Sequence, residues 1–335
     1  MKRRTAQKHV FHKDRTKTKL RRISNPGIAR GRGTLYEQLR ASGGKMHVCI
    51  IRSVGGIGDM LMTTPLLRQL KREFSALRLT FAIDRHRVGN DGYYELLKNA
   101  SFIDEFVDAR FVDRSKYHAV VDISSVCIRY ERKGLPVVNR IDLFARSCGV
   151  NRLRDKVPFY EVTPKESQWA GAKLSSYKKA GKHLIALHTA SFEGKRSWPA
   201  ANYRELIKHC AEHRPDICFI IFDFNNVLPN LDKYGNCVDK SNTTIREMAA
   251  LINECDLFIG PDSGPMHLAG ALGKQSLVLF GSIPPEARIN YYKHHTALVA
   301  NLPCLGCWYA SCDIGVKCMV DLSYLTIFNA LLDRI

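Results

Sequence analysis

Asp256-Leu-Phe-Ile-Gly-Pro-Asp-Ser-Gly-Pro-Met-His-Leu-Ala-Gly-Ala-Leu-Gly-Lys-Gln-Ser-Leu-Val-Leu-Phe-Gly281 reads as strand, turn, helix and strand. Leu257–Ile259 and Ser276–Phe280 are apolar runs without polar alternation, the pattern of strands buried on both faces. Between them Met266, Leu268, Ala269 and Leu272 recur at helical spacing, and Gly273 stands where a helix C-cap favours glycine. This is the repeating unit of a parallel sheet covered by helices. The turn Gly260-Pro-Asp-Ser-Gly264 lies where a strand ends and a helix begins. Free backbone N–H groups and the helix dipole make that place an anion site in open α/β sheets. Asp262 and Ser263 are also helix-capping types, so a capped helix with no ligand accounts for either residue alone. It does not account for His267 one turn further on, or for the Phe280-Gly-Ser282 exit from the next strand.

The same grammar extends toward the N-terminus. His47–Arg52 reads as a strand, Ser53-Val-Gly-Gly-Ile-Gly-Asp59 as a glycine-rich turn, and Met60–Phe74 as a helix containing Pro65. Gly55, Gly56 and Gly58 let backbone approach a ligand closely. Strands are expected at Leu77–Ile83, near Phe106–Asp108 and at Tyr117–Ile123, with helices around Tyr93–Asn99 and Asn139–Cys148. Val157–Val162 followed by Pro164-Lys-Glu reads as the crossing into a second half. That half alternates again, with a helix from Glu166 to Ala180, a strand inside Gly181–Ser191, helix Asn202–His213, strand Ile217–Phe222 and helix Thr244–Ile252. Two runs of strand–helix alternation predict an α/β chain with two Rossmann-like, doubly wound halves.

Asp262-Ser-Gly-Pro-Met-His-Leu-Ala269, Ala271-Leu-Gly-Lys274 and Leu279-Phe-Gly-Ser282 resemble the nucleotide-sugar site of the family 9 glycosyltransferases, the bacterial lipopolysaccharide heptosyltransferases. Ile51-Arg-Ser-Val-Gly-Gly-Ile-Gly-Asp-Met-Leu61 is similar to that family's opening motif, with one additional glycine. Lys195-Arg-Ser-Trp-Pro199 is similar to its Lys-x-Trp-Pro motif, with Arg196 at the lysine's offset and Lys195 beside it. The resemblance spans about residues 46–322. It implies the GT-B architecture, two such domains facing across a cleft. The acceptor would lie on residues 46–163 and the donor on residues 164–335.

By the same resemblance Asp59 is the general base, and Gly55, Gly56 and Gly58 shape the acceptor loop. Lys195 or Arg196, with Asp262, Ser263, Gly264, Pro265, Met266 and His267, would bind the donor diphosphate and sugar. The implied chemistry is inverting transfer from a nucleotide-sugar such as ADP-heptose to an anionic acceptor, by family default the lipopolysaccharide core, with no cofactor or metal required. Asp223-Phe-Asn-Asn226 departs from the family's glycine and polar residue near the nucleoside.

The net charge of +19 is concentrated at one end: residues 1–45 hold 14 Lys/Arg against Asp14 and Glu37. Residues 1–33 have few, aperiodic apolar residues, so disorder is expected there, within a flexible basic arm over 1–45 whose residues 34–43 read as a short helix before the fold begins. A solvated tail is the plain reading; contact through residues 1–33 with nucleic acid or an anionic surface is the sharper one. No run approaches the apolar length of a membrane span, and the basic N-terminus lacks the apolar core of a secretory signal. A cytoplasmic enzyme, peripheral to the inner membrane, is the expected setting. Cys304-x2-Cys307-x4-Cys312-x5-Cys318 has a spacing that would suit structural zinc, though packed thiols are the plainer expectation. Val320–Ile335 reads as a final amphipathic helix, expected across the domain junction or simply over the sheet. Two other functions stand beside the first: a glycosyltransferase that modifies nucleic acid, such as hydroxymethylated bases of phage DNA, through the basic arm, and a non-catalytic binding protein on the same fold.

Overall fold

The computed structural model describes residues 33–84, 92–132, 134–308 and 311–335. In chain order these form α1 (Leu35–Ala41), β1 (His47–Arg52), α2 (Ile57–Glu73), β2 (Arg78–Ile83), α3 (Gly92–Leu97), β3 (Glu105–Asp108), β4 (Ala119–Asp122) and α4 (Arg140–Ser147). Then follow α5 (Pro164–Lys179), β5 (His183–His188), α6 (Ala200–His213), β6 (Ile217–Phe222), β7 (Cys237–Asp239), α7 (Ile245–Glu254), β8 (Leu257–Pro261) and α8 (Gly264–Ala271). The chain ends with β9 (Ser276–Phe280), β10 (His295–Val299), α9 (Lys317–Val320) and α10 (Tyr324–Leu332). Two sheets result, β3-β2-β1-β4 and β10-β9-β8-β5-β6-β7. Every pairing is parallel; in the first sheet Val48 lies opposite both Leu79 and Ala119, and in the second Phe258 lies opposite Ser276. The two-sheet α/β architecture expected from the alternation is therefore present.

Parallel pairing places the C-terminal ends of β1, β4, β5, β8 and β9 beside the glycine-rich and polar turns. One apolar cluster runs through both halves. It includes Ile50, Met60, Leu67 and Phe81 of the first and Phe258, Met266, Leu268 and Phe280 of the second. A second cluster covers the other face of the second sheet, where α6 and α10 lie on β6, β8 and β9. The other face of the first sheet is covered more thinly, by Val107, Ala109, Val112 and Tyr117 over Cys49, Ile51, Ala82 and Val120.

Three details differ from the sequence reading. The short helix expected over 34–43 is present as α1, but it packs on the fold instead of belonging to a flexible arm over 1–45. Leu35 and Leu39 of α1 are fully buried, Thr34 and Glu37 form a capping box, and the Tyr36 N–H donates to Cys148 O at 3.0 Å. The rest of the arm, residues 1–32, lies outside the described residues. The final helix is two pieces, α9 and α10, separated where Ser323 caps α10 by accepting from the Thr326 N–H. It covers the second sheet rather than the junction, because Ile327, Phe328 and Leu331 belong to the cluster around Trp198 and Ile207. β7 and β10 were not anticipated; both are short and bordered by polar residues, which hides their pattern.

Trp198 anchors this C-terminal segment. It is fully buried, packs edge-to-face on Tyr203 at 4.7 Å, and its Nε1–H donates to Leu322 O at 2.7 Å. Trp198→Phe removes that donor and part of the ring, and should lower stability by about 1–3 kcal/mol. Amide exchange across Cys318–Leu332 should accelerate in the variant; unchanged protection there would show that the segment is held by other contacts.

Candidate active site

The glycine-rich turn before α2 and the Asp-Ser-Gly turn before α8 meet head to head. α2 and α8 pack on one another, and their first residues are in contact. The contact depends on two glycines. A Cβ on Gly58 would lie 2.2 Å from His267 Cδ2, and one on Gly264 would lie 2.9 Å from Ile57 Cβ. Gly55 has φ +111°, a left-handed backbone that glycine adopts readily. Its carbonyl accepts from the Tyr93 hydroxyl at 2.6 Å. Two helix N-termini thus converge on one place, each bringing a positive dipole end.

Asp59, in the first turn of α2, is almost fully buried. Its Oδ2 accepts from the Gly56 N–H at 3.1 Å. Its Oδ1 accepts from Arg140 Nη1 at 2.7 Å and lies 3.1 Å from Arg52 Nη2. Burial pushes the carboxyl up, but the Arg140 and Arg52 guanidiniums and the Gly56 N–H outweigh it and hold it well below the usual range.

Asp262, at the end of β8, is equally buried. Its Oδ2 accepts from Arg196 Nη1 at 2.8 Å and lies 3.6 Å from Arg288 Nε. Burial again raises its carboxyl, and Arg288 and Arg196 more than offset this. Burial pulls the His267 imidazole down to about 3, against the raising influence of Asp262 4.0 Å away, so the ring is neutral. His267 Nδ1 is 2.7 Å from the Tyr292 hydroxyl.

Of the two basic candidates Arg196 joins this centre. Lys195 Nζ lies 3.3 Å from Glu193 and borders a small cavity walled by Ser282, Cys304, Cys307, Cys312 and Cys318. The four thiols therefore share one cavity, yet no three of their sulfurs lie within 4.8 Å of one another as a zinc set would. Ser263 stands at the N-cap of α8 but its hydroxyl makes no capping bond. Ser263 Oγ, Ser282 Oγ and Arg196 Nε are buried without a hydrogen-bond partner, uncommon at a place that binds nothing. Pro265 and Met266 are buried in the first turn of α8, serving the packing against α2. Asp223 is taken up structurally, accepting from Thr189 Oγ1 at 2.7 Å and the Leu228 N–H at 2.6 Å. Phe224 beyond it stands half exposed.

Sequence reasoning missed Arg52, Glu131, Arg140 and Arg288. Glu131 binds Arg140 through both carboxylate oxygens and accepts from Arg288 Nη1 at 2.8 Å. Burial raises the Glu131 carboxyl, but the hydrogen bonds from Arg140 and the charge of Arg288 bring it below its ordinary value. Arg52 was visible as the second residue of a quoted motif. Glu131 and Arg288 sit in loops with no local signal.

A family model of glycosyltransferase family 9 (heptosyltransferase) matches residues 111–316. Lipooligosaccharide heptosyltransferase 2 of Campylobacter jejuni is 27% identical over 154 residues, 42% of this chain and 48% of that protein. The chain thus spans about half the length of such relatives. Lipopolysaccharide heptosyltransferase 1 of Campylobacter coli is 21% identical over 299 residues, covering 71% of this chain and 85% of that one. Among solved structures, the Escherichia coli ADP-heptose lipopolysaccharide heptosyltransferase II has a TM-score of 0.61 at 16% identity, over 86% of this chain and 98% of that one. The dodecameric iron-containing heptosyltransferase TibC, in complex with ADP-D-beta-D-heptose, has a TM-score of 0.63 at 14% identity, over 87% of this chain and 76% of that one. These two likenesses concern the fold.

The carboxylates of Asp59, Asp262 and Glu131 all have depressed pKa values, so their stabilisation is complete above the unfolded-state value near 4 and is lost as pH falls below it. Melting temperature should therefore hold through neutral pH and drop below about pH 5, with a shallower drop in Asp59→Asn. Gly58→Ala should cost about 1–3 kcal/mol by forcing α2 away from His267. A Gly58→Ala protein with unaltered melting temperature would mean that the helix ends separate without penalty.

Proposed function

Because the chain belongs to glycosyltransferase family 9, we propose that it transfers a sugar from a nucleotide-sugar donor to an anionic acceptor, with inversion at the anomeric carbon. The observation carrying this reading is the meeting of the two motif helices, which places a buried carboxylate, Asp59, beside an arginine-lined helix N-terminus. Transfer needs a base for the acceptor hydroxyl and stabilisation of a departing diphosphate. Asp59 takes the proton as the hydroxyl oxygen attacks the anomeric carbon. The bond to the diphosphate breaks, and its charge falls on Arg196, Arg288 and the backbone N–H groups at the start of α8. Asp262 steers Arg196 and can accept from sugar hydroxyls. Neutral His267, fixed by Tyr292, keeps the helix start in place. Phe224 gives the nucleobase a face to stack on.

The relatives named as ADP-heptose enzymes make ADP-heptose the first donor to try, and the lipopolysaccharide core the first acceptor. No helix among the described residues is long and apolar enough to cross a membrane. We place the enzyme in the cytoplasm, at the inner face of the membrane where such an acceptor is built. A second reading, transfer to nucleic acid, is favoured by one feature: the density of Lys and Arg in residues 1–32.

The test is product mass after incubation with ADP-heptose or other nucleotide-sugars and either core lipopolysaccharide or hydroxymethylcytosine DNA. Asp59→Asn should lower turnover by about a hundredfold or more while ADP still binds. Full turnover in that variant would remove Asp59 from the mechanism. Deleting residues 1–32 leaves α1 intact; it should spare transfer to lipopolysaccharide, whereas loss of transfer to DNA alone would favour the second reading.

A further inference from the structure

The ion pairs of the cleft form one unbroken series. Arg52 holds Asp59 at 3.1 Å, and Asp59 holds Arg140 at 2.7 Å. Arg140 is gripped by Glu131, which takes Arg288 at 2.8 Å. Arg288 lies 3.6 Å from Asp262, and Asp262 takes Arg196 at 2.8 Å. Charge alternates along all seven groups, from β1 of the first half to the Trp-Pro motif of the second.

Glu131 is the link between the halves. Arg140 begins α4 in the first half, while Arg288 lies between β9 and β10 in the second. Asn139 Nδ2 donates to Glu286 O at 3.1 Å beside this link. The Glu131 side chain is 12% exposed and that of Arg288 only 3%. Arg288 is steadied by the Trp308 ring, its guanidinium carbon 5.5 Å from the ring centre. Two guanidiniums thus enclose one carboxylate between the halves, the geometry in which Arg forks hold a phosphate.

We propose that Arg140 and Arg288 are a phosphate-binding pair for the donor diphosphate, and that Glu131 is their internal occupant in the empty enzyme. This rests on the nucleotide-sugar reading given above. Arg288 is assigned to the donor because its other neighbours, Asp262 and Arg196, stand at the donor motifs. A phosphate entering there displaces Glu131, with no bond made or broken. It draws the Arg140 guanidinium toward itself and away from Asp59 Oδ1. Asp59, held by two arginines, is a poor proton acceptor; held by Arg52 alone it is a better one. Donor binding therefore arms the base, and a free acceptor hydroxyl meets a weak base until the donor is present.

The test is calorimetric titration of the full chain and its variants with ADP and with inorganic pyrophosphate, alongside melting temperature. Glu131→Gln removes the charge that competes with phosphate, and ADP affinity should rise about tenfold, a change that a merely structural glutamate would not produce. Glu131→Asp keeps the charge and should bind ADP as wild type does. Arg288→Gln should weaken ADP by about tenfold or more. Glu131→Gln binding ADP no better than wild type, at a comparable melting temperature, overturns the proposal. So does Arg288→Gln binding at the wild-type level. In both cases the nucleotide-sugar reading survives if wild type binds ADP; wild type that binds neither ADP nor pyrophosphate overturns both.

Discussion

The structure depends on a seam of alternating charge sealed inside an apolar junction. Desolvating so many ionised groups is costly, and only close pairing makes it tolerable. Arg52 illustrates the requirement. Besides Asp59 it donates to Ile123 O at 2.9 Å and Ser124 O at 2.7 Å, with its guanidinium over the Phe144 ring at 4.7 Å. Such a group cannot leave its partners. Arg140 and Arg288, by contrast, owe their places mainly to Glu131, Asp59 and Asp262. The fixed end of the series is thus beside Asp59, and the groups proposed to exchange lie between the halves.

The apolar part of the junction explains why the charges meet at all. α2 is buried nearly all round because it faces the first sheet, α4 and α8. A second tie lies further back, where Arg246 of α7 pairs with Glu166 of α5 and donates to Glu95 O at 3.0 Å and Glu161 O at 2.8 Å. With α3 on α7 and α2 on α8, the halves are joined by helices along one side. Glycine at 58 and 264 lets backbone stand where side chains would otherwise separate the two helix ends.

Much of this was legible in the chain. Uninterrupted apolar runs such as Leu257–Ile259 and Ile217–Phe222 announce strands buried on both faces, and Gly273 and Pro164 mark helix boundaries where they occur. The motifs at the strand ends drew Asp59, Asp262 and His267 to attention, and the structure brings all three together. What was not legible depends on long-range pairing. Glu131 and Arg288 are 157 residues apart and neither has a periodic setting. Choosing between Lys195 and Arg196 needed the backbone of the turn at Gly194–Arg196, which sends one side chain to Asp262 and the other toward Glu193 and the cysteine cavity. The cysteine spacing suited either zinc or packed thiols, because spacing says nothing of where sulfurs point. Val316, at φ +55°, turns the loop between Cys312 and Cys318, and its N–H donates to the Cys312 sulfur at 3.2 Å.

A carboxylate meant to act as a base is usually kept away from cations, because each one lowers its affinity for a proton. Asp59 has two in contact. For a hydrolytic enzyme this would be a defect. For the transfer proposed here it is useful, since the danger in a cleft that activates a sugar is attack by water rather than by the acceptor. On the proposal made above, a base that stays weak until a donor phosphate draws one arginine away would give water little help while no donor is bound. The same arginine then faces the charge that grows on the leaving diphosphate. One guanidinium would thereby serve both proposed steps, and the carboxylate between Arg140 and Arg288 would set which of them comes first.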